Sequence, residues 1–331
     1  MNPIALIVGG HVIYWNAIVI ALGVMACFCL TMALFTAHGG RAEAIWLLLP
    51  LGILLSLPLA RLINWYCHSE KYLSFWKAMT DYSRGDYCLA GVILGTALAG
   101  LIVRTLGFTQ NLRRLYDCLA PGAALGIAMI RLSELFTNAD RGKAVVSNPV
   151  FQRLPFSTEI VGSGEWRLAT FFFQFLLMLV IFAMLLRFFF KRRRWPMKAE
   201  QPRDGNVALM FLCWLSALDL MADSSRYDAS FLRLNGFVSM VQIVSAVTLL
   251  VALIIYSRRS IRANGLRPSL WIWWIVFFVA VGLVGFLEWL VQRHGNWFIF
   301  CYTLMSIGCI AMAVSVYRAY LGVCAKKKTR S

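Results

Sequence analysis

Arg131 and Glu134 stand three residues apart inside a mainly apolar stretch, and Asp219 and Asp223 stand four apart at the end of another. Spacings of three and four put both members of each pair on one face of a helix. Ionisable groups among apolar residues are costly in lipid, so they face a bundle interior or a water-filled cavity and mark functional positions. An arginine so placed holds an anion or ties up a neighbouring acid. A carboxylate so placed takes up a proton or neutralises a cation. For Arg131 and Glu134 two readings stand: an ion pair that fastens helices, or a site in which Glu134 serves as general base. Asp219 and Asp223 repel each other unless a cation intervenes. They read either as a hydrated helix end or, with Asp219 facing the bundle, as a site in which Asp219 pairs with Arg131 or Arg61 or acts as a base.

The elements that must hold these residues follow from composition. The chain has 331 residues, 60% of them apolar and only 14% charged, against roughly 25% charged in soluble domains. Its mean hydropathy is +0.71. A soluble enzyme, a disordered chain and a disulfide-rich secreted module are all excluded. A spanning helix needs about 20 apolar residues, and nine stretches qualify: 12–36, 44–63, 87–105, 115–136, 166–190, 206–222, 237–257, 270–292 and 297–321. The expected fold class is therefore all-α, a polytopic transmembrane helix bundle. Residues 1–10 contain no Lys or Arg and the first apolar run is long, so that span is expected to be retained rather than cleaved.

The net charge of +17 is unevenly distributed. With nine spans, one set of loops carries 20 of the 32 Lys and Arg and four of the 15 acids, a net of +16, while the other side nets +1. The basic side is cytoplasmic by the positive-inside rule, which puts the N-terminus outside and the C-terminus inside. Lys191-Arg192-Arg193-Arg194 directly follows a span, where such clusters meet anionic lipid headgroups. Nucleic acid is not an expected partner. The acids gather on the outer side, so carboxylate chemistry belongs at the outer leaflet.

The nine cysteines and four histidines are scattered, without metal-ligand spacing. No phosphate-binding loop, nucleophile elbow or HExxH is present; no metal and no cofactor are expected. Gly91, Gly95 and Gly100 stud the third span, as a close-packing face or as a glycine-lined headgroup passage. Trp271, Trp273, Trp274, Trp289 and Trp297 crowd the last two spans as interfacial belts or as a dock for a partner or lipid.

Several segments, taken in order, carry a resemblance. They are Ile13-Tyr14-Trp15-Asn16-Ala17 with Ile20-Ala21-Leu22-Gly23, Pro58-Leu59-Ala60-Arg61-Leu62, and Ala90-Gly91-Val92-Ile93-Leu94-Gly95. Then come Gly126-Ile127-Ala128-Met129-Ile130-Arg131-Leu132-Ser133-Glu134-Leu135-Phe136-Thr137-Asn138 followed by Gly142-Lys143, Asp223-Ser224-Ser225-Arg226, and Val241-Gln242-Ile243-Val244-Ser245. In order, spacing and sidedness these resemble the prolipoprotein diacylglyceryl transferase family over about residues 10–257. The resemblance implies a seven-span core over residues 1–260, with residues 261–331 as a two-span extension ending in a basic tail.

The same resemblance implies transfer of a diacylglyceryl group from phosphatidylglycerol to the lipobox cysteine of a prolipoprotein, with release of glycerol phosphate and formation of a thioether. The partners it implies are phosphatidylglycerol, prolipoprotein signal peptides bearing a lipobox cysteine, and membrane lipids. Arginine suits the phosphate because its planar fork binds it bidentately. Arg131 is then the phosphate holder, with Glu134 and Asp219 as catalytic carboxylates, each a candidate base. Arg61, Asn138, Asp223, Arg226 and Gln242 are substrate-binding residues, with Asn138 and Gln242 orienting an ester or peptide carbonyl. Arg61 and Arg226 are alternatively interfacial charges.

The chain also departs from the family pattern. Ala90 stands where the family often has His or Tyr, and Val92 where it has a second glycine. Glu134 occupies the signature's Asn or Cys position, and Asp219 occupies the position of an arginine regarded as essential. Leu168, Ala169, Phe173 and Gln174 replace the His-Pro-x-x-x-Tyr-Glu opening of the fifth span. These departures keep open an alternative: a non-catalytic or repurposed homologue that binds phospholipid or lipoprotein precursors.

Overall fold

Backbone polar groups at membrane depth have to be satisfied within the chain, which makes the helix the spanning element. The computed structural model describes residues 3–9, 11–69, 72, 74–80, 87–160, 162–193, 204–227, 229, 238–294 and 298–324. Each of the nine expected spans is a helix: α1 (Trp15–Ala37), α2 (Ala42–Cys67), α4 (Leu89–Thr105), α5 (Leu112–Ser133), α6 (Thr170–Arg193), α7 (Asn206–Ser225), α8 (Met240–Asn264), α9 (Pro268–His294) and α10 (Phe298–Cys324). Eight are long and apolar enough to cross a membrane, and α4 has 17 residues, the short end of the spanning range of roughly 17–25. A short helix, α3 (Phe75–Thr80), lies between α2 and α4. The chain is an all-α polytopic membrane protein, with two small antiparallel hairpins added: β1 (Ile4–Val8) with β2 (His11–Tyr14), and β3 (Ser157–Glu159) with β4 (Trp166–Leu168).

Those hairpins correct two expected span boundaries. Residues 12–14 pair with β1, so the first span starts at Trp15. Residues 166–168 pair with β3, so the fifth starts at Thr170. Apolar content alone cannot tell a short strand from a first helical turn. The Arg194 end of the basic run, Trp297 and the Lys326–Arg330 tail lie outside the described residues.

The chain forms two compact units, Met1–Phe211 and Leu212–Ser331. In the first, α2 and α4 touch backbone to backbone. A Cβ on Gly91 would lie 2.3 Å from Ala60 Cα, and one on Gly95 2.4 Å from Ser56 Cα. Ser56 Oγ donates to the Val92 carbonyl at 3.0 Å across the same seam. The space at these glycines is filled by α2, so they are a packing face and the headgroup-passage reading of them fails. α1 meets α5 in the same manner, with Gly23 against Met129 and Gly122 against Thr31.

Asp117, fully buried in α5, accepts from the backbone N–H of Gly205 at 2.8 Å and of Ala208 at 3.0 Å. It thereby caps the N-terminus of α7, whose first amides lack intrahelical partners; the helix dipole favours a negative charge there.

In the second unit, Ser239 and Gln242 form a reciprocal capping box that starts α8. Gly265 at φ +76° ends that helix, and Pro268 opens α9. Trp274 Nε1 donates to Ser257 Oγ at 3.0 Å, Asn264 Nδ2 donates to the Gly322 carbonyl at 2.7 Å, and the Tyr256 and Tyr320 rings meet edge to face at 5.4 Å. These contacts hold α9 and α10 on α8.

Candidate functional site

Arg131 sits in the last turn of α5 and is 9% exposed. Its Nη1 donates to Glu134 Oε1 at 3.1 Å and also to the Asp140 carboxylate. Glu134 opens a 3-10 turn, Glu134–Phe136, that prolongs the helix, and Phe136 stacks on Trp15 at the start of α1 with ring centroids 6.1 Å apart. Asp140 is buried and held at φ +52°, a left-handed backbone that aspartate tolerates better than most residues. Asn138 lies half-buried between Glu134 and Asp140.

Hydrogen bonds from the loop to the β3–β4 hairpin fix this turn. Arg141, buried, donates from Nη2 to the Thr137 carbonyl at 2.7 Å and from Nη1 to the Thr158 hydroxyl on β3. The Gly142 amide donates to the Leu168 carbonyl at 2.9 Å and the Val146 amide to that of Trp166 at 2.7 Å. A Cβ on Gly142 would lie 2.8 Å from Leu168 Cβ, so glycine is what lets the loop close on β4.

Around Arg131, then, two carboxylates face one guanidinium. Arginine stays charged at every accessible pH, and its hydrogen bonds to ionised acids are of the strong, charge-assisted kind. An anion arriving at Arg131 competes with Glu134 and Asp140 for donors. Gln174, at the position where the resembling family carries glutamate, is buried in α6, and its Oε1 has no hydrogen-bond partner among the described residues.

Arg61 is buried near the end of α2. Its Nη1 donates to the Met79 carbonyl of α3 at 3.3 Å, and its guanidinium lies 5.2 Å from the centre of the Tyr87 ring. In the second unit Asp223, 3% exposed, lies 3.8 Å from Arg226 Nη1 in the last turn of α7. Asp219 is one turn back and half-buried. Gln242, also buried, accepts at Oε1 from the Ser239 amide at 2.9 Å.

Of the residues singled out by sequence, Arg131 meets Glu134 and Asp223 meets Arg226, while Arg61 and Gln242 make the separate contacts just described. Asp140 and Arg141 were missed. They stand directly before the Gly142-Lys143 pair, but a loop acid nine residues past an arginine gives no sign in sequence that it folds back onto it.

Fold and site together define a multi-pass helical membrane protein with a buried arginine–carboxylate cluster at the end of one helix. The prolipoprotein diacylglyceryl transferase family matches residues 3–258, most of the chain, and the chain belongs to that family. It is 25% identical over 266 residues to a protein of Gloeobacter violaceus named phosphatidylglycerol–prolipoprotein diacylglyceryl transferase, covering 79% of this chain and 95% of the relative. Proteins of the same name from Synechocystis and Streptococcus pyogenes are each 24% identical, over 76% and 78% of this chain and 86% and 95% of their own lengths.

Proposed function

We propose that this chain transfers the diacylglyceryl group of phosphatidylglycerol to the lipobox cysteine in prolipoprotein signal peptides. The reaction runs at the outer face of a bacterial inner membrane, with the N-terminus outside and the C-terminus in the cytoplasm. The observation that carries the reading is the family match over residues 3–258, which contains every site residue named above. The charge difference between the two sets of loops supports the orientation.

In the reaction the cysteine sulfur attacks the glyceryl carbon that bears the phosphate ester. A C–S bond forms, the C–O bond breaks, and glycerol phosphate leaves with the bonding pair. The thiol proton must pass to a base, because the thiolate is the nucleophile. Arg131 holds the phosphate and meets its growing charge, exchanging carboxylate partners for phosphate oxygens. Glu134 and Asp219 are the acids available to take the proton. Arg61, Asn138, Asp223, Arg226 and Gln242 bind the headgroup and the peptide. Residues 1–260 form the catalytic core, and residues 261–331 extend it.

The second reading is a phospholipid- or precursor-binding homologue without transfer. It is favoured by Asp219 standing where the family has arginine, and by the two carboxylates already paired with Arg131. Transfer of labelled diacylglyceryl from phosphatidylglycerol to a lipobox peptide decides between them, run beside Arg131→Ala. Activity abolished by the substitution supports the enzyme. A folded, lipid-binding but inactive parent protein supports the homologue.

A further inference from the structure

The second unit contains a cavity of about 150 Å³ with apolar walls, among them Leu220, Val281, Val284 and Met312. Two polar side chains interrupt that wall: Gln242 at the start of α8 and Glu288 near the end of α9, which are 3% and 2% exposed. The capping box uses Gln242 Oε1 as acceptor for the Ser239 amide. That bond fixes the amide orientation and leaves Nε2 as the remaining donor, buried without a partner among the described residues. Glu288 is fixed in the same sense: Oε1 accepts from Gln292 Nε2 at 2.7 Å, and Oε2 is buried without a partner among the described residues. The side chains that carry this donor and this acceptor therefore line one cavity, and neither atom is bonded to the other. Buried polar atoms are almost always hydrogen-bonded, so two orphans in one hollow point to a ligand that satisfies both.

We propose that this cavity binds an aliphatic hydroxyl group, as carried by a polyol of glycerol size, and that Glu288 of the added helix α9 determines this specificity. The hydroxyl hydrogen is donated to Glu288 Oε2, and its oxygen accepts from Gln242 Nε2. Charged head groups of a single kind satisfy only one side. An ammonium group has no acceptor for Gln242, and a phosphate has no donor for Glu288. The volume equals that of about five liquid waters, which suits a glycerol unit and not a peptide strand. The hydroxyl can belong to a free polyol or to a lipid headgroup. Its identification with the phosphatidylglycerol headgroup rests on the function proposed above, whereas the cavity's hydroxyl preference does not.

The test uses the full chain in phosphatidylcholine nanodiscs. Native mass spectrometry measures retention of phosphatidylglycerol and of phosphatidylmethanol, which has the same charge and no hydroxyl, with free glycerol as competitor. We expect phosphatidylglycerol to be retained at least tenfold better. Glu288→Leu should abolish the preference while leaving phosphatidylmethanol retention unchanged. Gly285→Leu should do the same by filling the cavity: Gly285 lines it, and a Cβ built there meets nothing within 4 Å, so the helix backbone accepts a side chain at that position. Competition by free glycerol assigns the site to the polyol itself, and its absence assigns it to the lipid headgroup. Equal retention of the two lipids, as a merely water-filled cavity gives, overturns the proposal, as does a preference that survives Gly285→Leu. A preference lost in Glu288→Leu without any transfer activity in the parent protein sinks the transferase reading and leaves this one standing.

Discussion

The guanidinium of Arg131 donates to the carboxylate of Asp140, nine residues later and held at φ +52°. Both residues are buried, and Glu134 is bonded to the same Nη1. Removing one partner of a buried ion pair costs about 3–5 kcal/mol. Arg131→Ala should therefore lower stability by that order as well as abolish transfer. The double variant Arg131→Ala/Asp140→Ala should recover much of the stability and none of the activity. Thermal unfolding of the four proteins of this cycle, beside the transfer assay, separates the structural pair from the catalytic role proposed for Arg131. Additive stability losses would show that the two side chains are not coupled.

Asp117 has no substrate in view, yet it should matter for folding. Its two carboxylate oxygens receive the Gly205 and Ala208 amides, and loss of such a cap costs about 0.5–2 kcal/mol. Asp117→Ala should lower the melting temperature in detergent, while Asp117→Asn, which keeps an acceptor oxygen, should lower it less. Equal melting of both variants and the parent would mean that water replaces the cap.

The glycines of α4 separate packing from composition. Gly91→Val would drive side-chain carbons into the backbone of Ala60, and overpacking of this kind costs about 1–3 kcal/mol. Gly282, in α9, has nothing within 4 Å of a built Cβ. There Gly282→Ala should be neutral or stabilising by about 0.5–1 kcal/mol, since glycine weakens a helix interior. A Gly91→Val protein as stable as the parent would mean that α2 and α4 can separate.

What could be read in sequence divides along the same line. Nine spans were legible because lipid dictates apolar stretches of a set length, and the contrast between Arg131 and its surroundings was legible for the same reason. The Ser239–Gln242 capping box came from the structure; in sequence Gln242 was read for its amide chemistry alone. The hairpins at residues 4–14 and 157–168 were not legible, because short strands in apolar sequence look like helix. Nor was Asp140, whose contact with Arg131 depends on a left-handed residue and on a loop fastened to β4, which are tertiary facts. Glu288 stands inside an apolar run in the extension, outside the segments that resemble the family.

The extension gives the last prediction. The family match ends at residue 258, but α8 runs to Asn264 and its inner face, with Leu253 and Tyr256 fully buried, is met by α10 through Tyr320 and Gly322. In a bilayer, lipid can replace a lost helix without a hydrophobic penalty, so what disappears is packing and hydrogen bonding rather than burial. A chain ending at Asn264 should therefore still insert, but should melt several degrees lower in detergent. A milder probe of the same seam is Gly322→Val, because a Cβ there would lie 2.7 Å from Ser260 Oγ. If α10 braces α8, the truncated chain and Gly322→Val should both melt early. If both match the full chain, α8 stands without the extension.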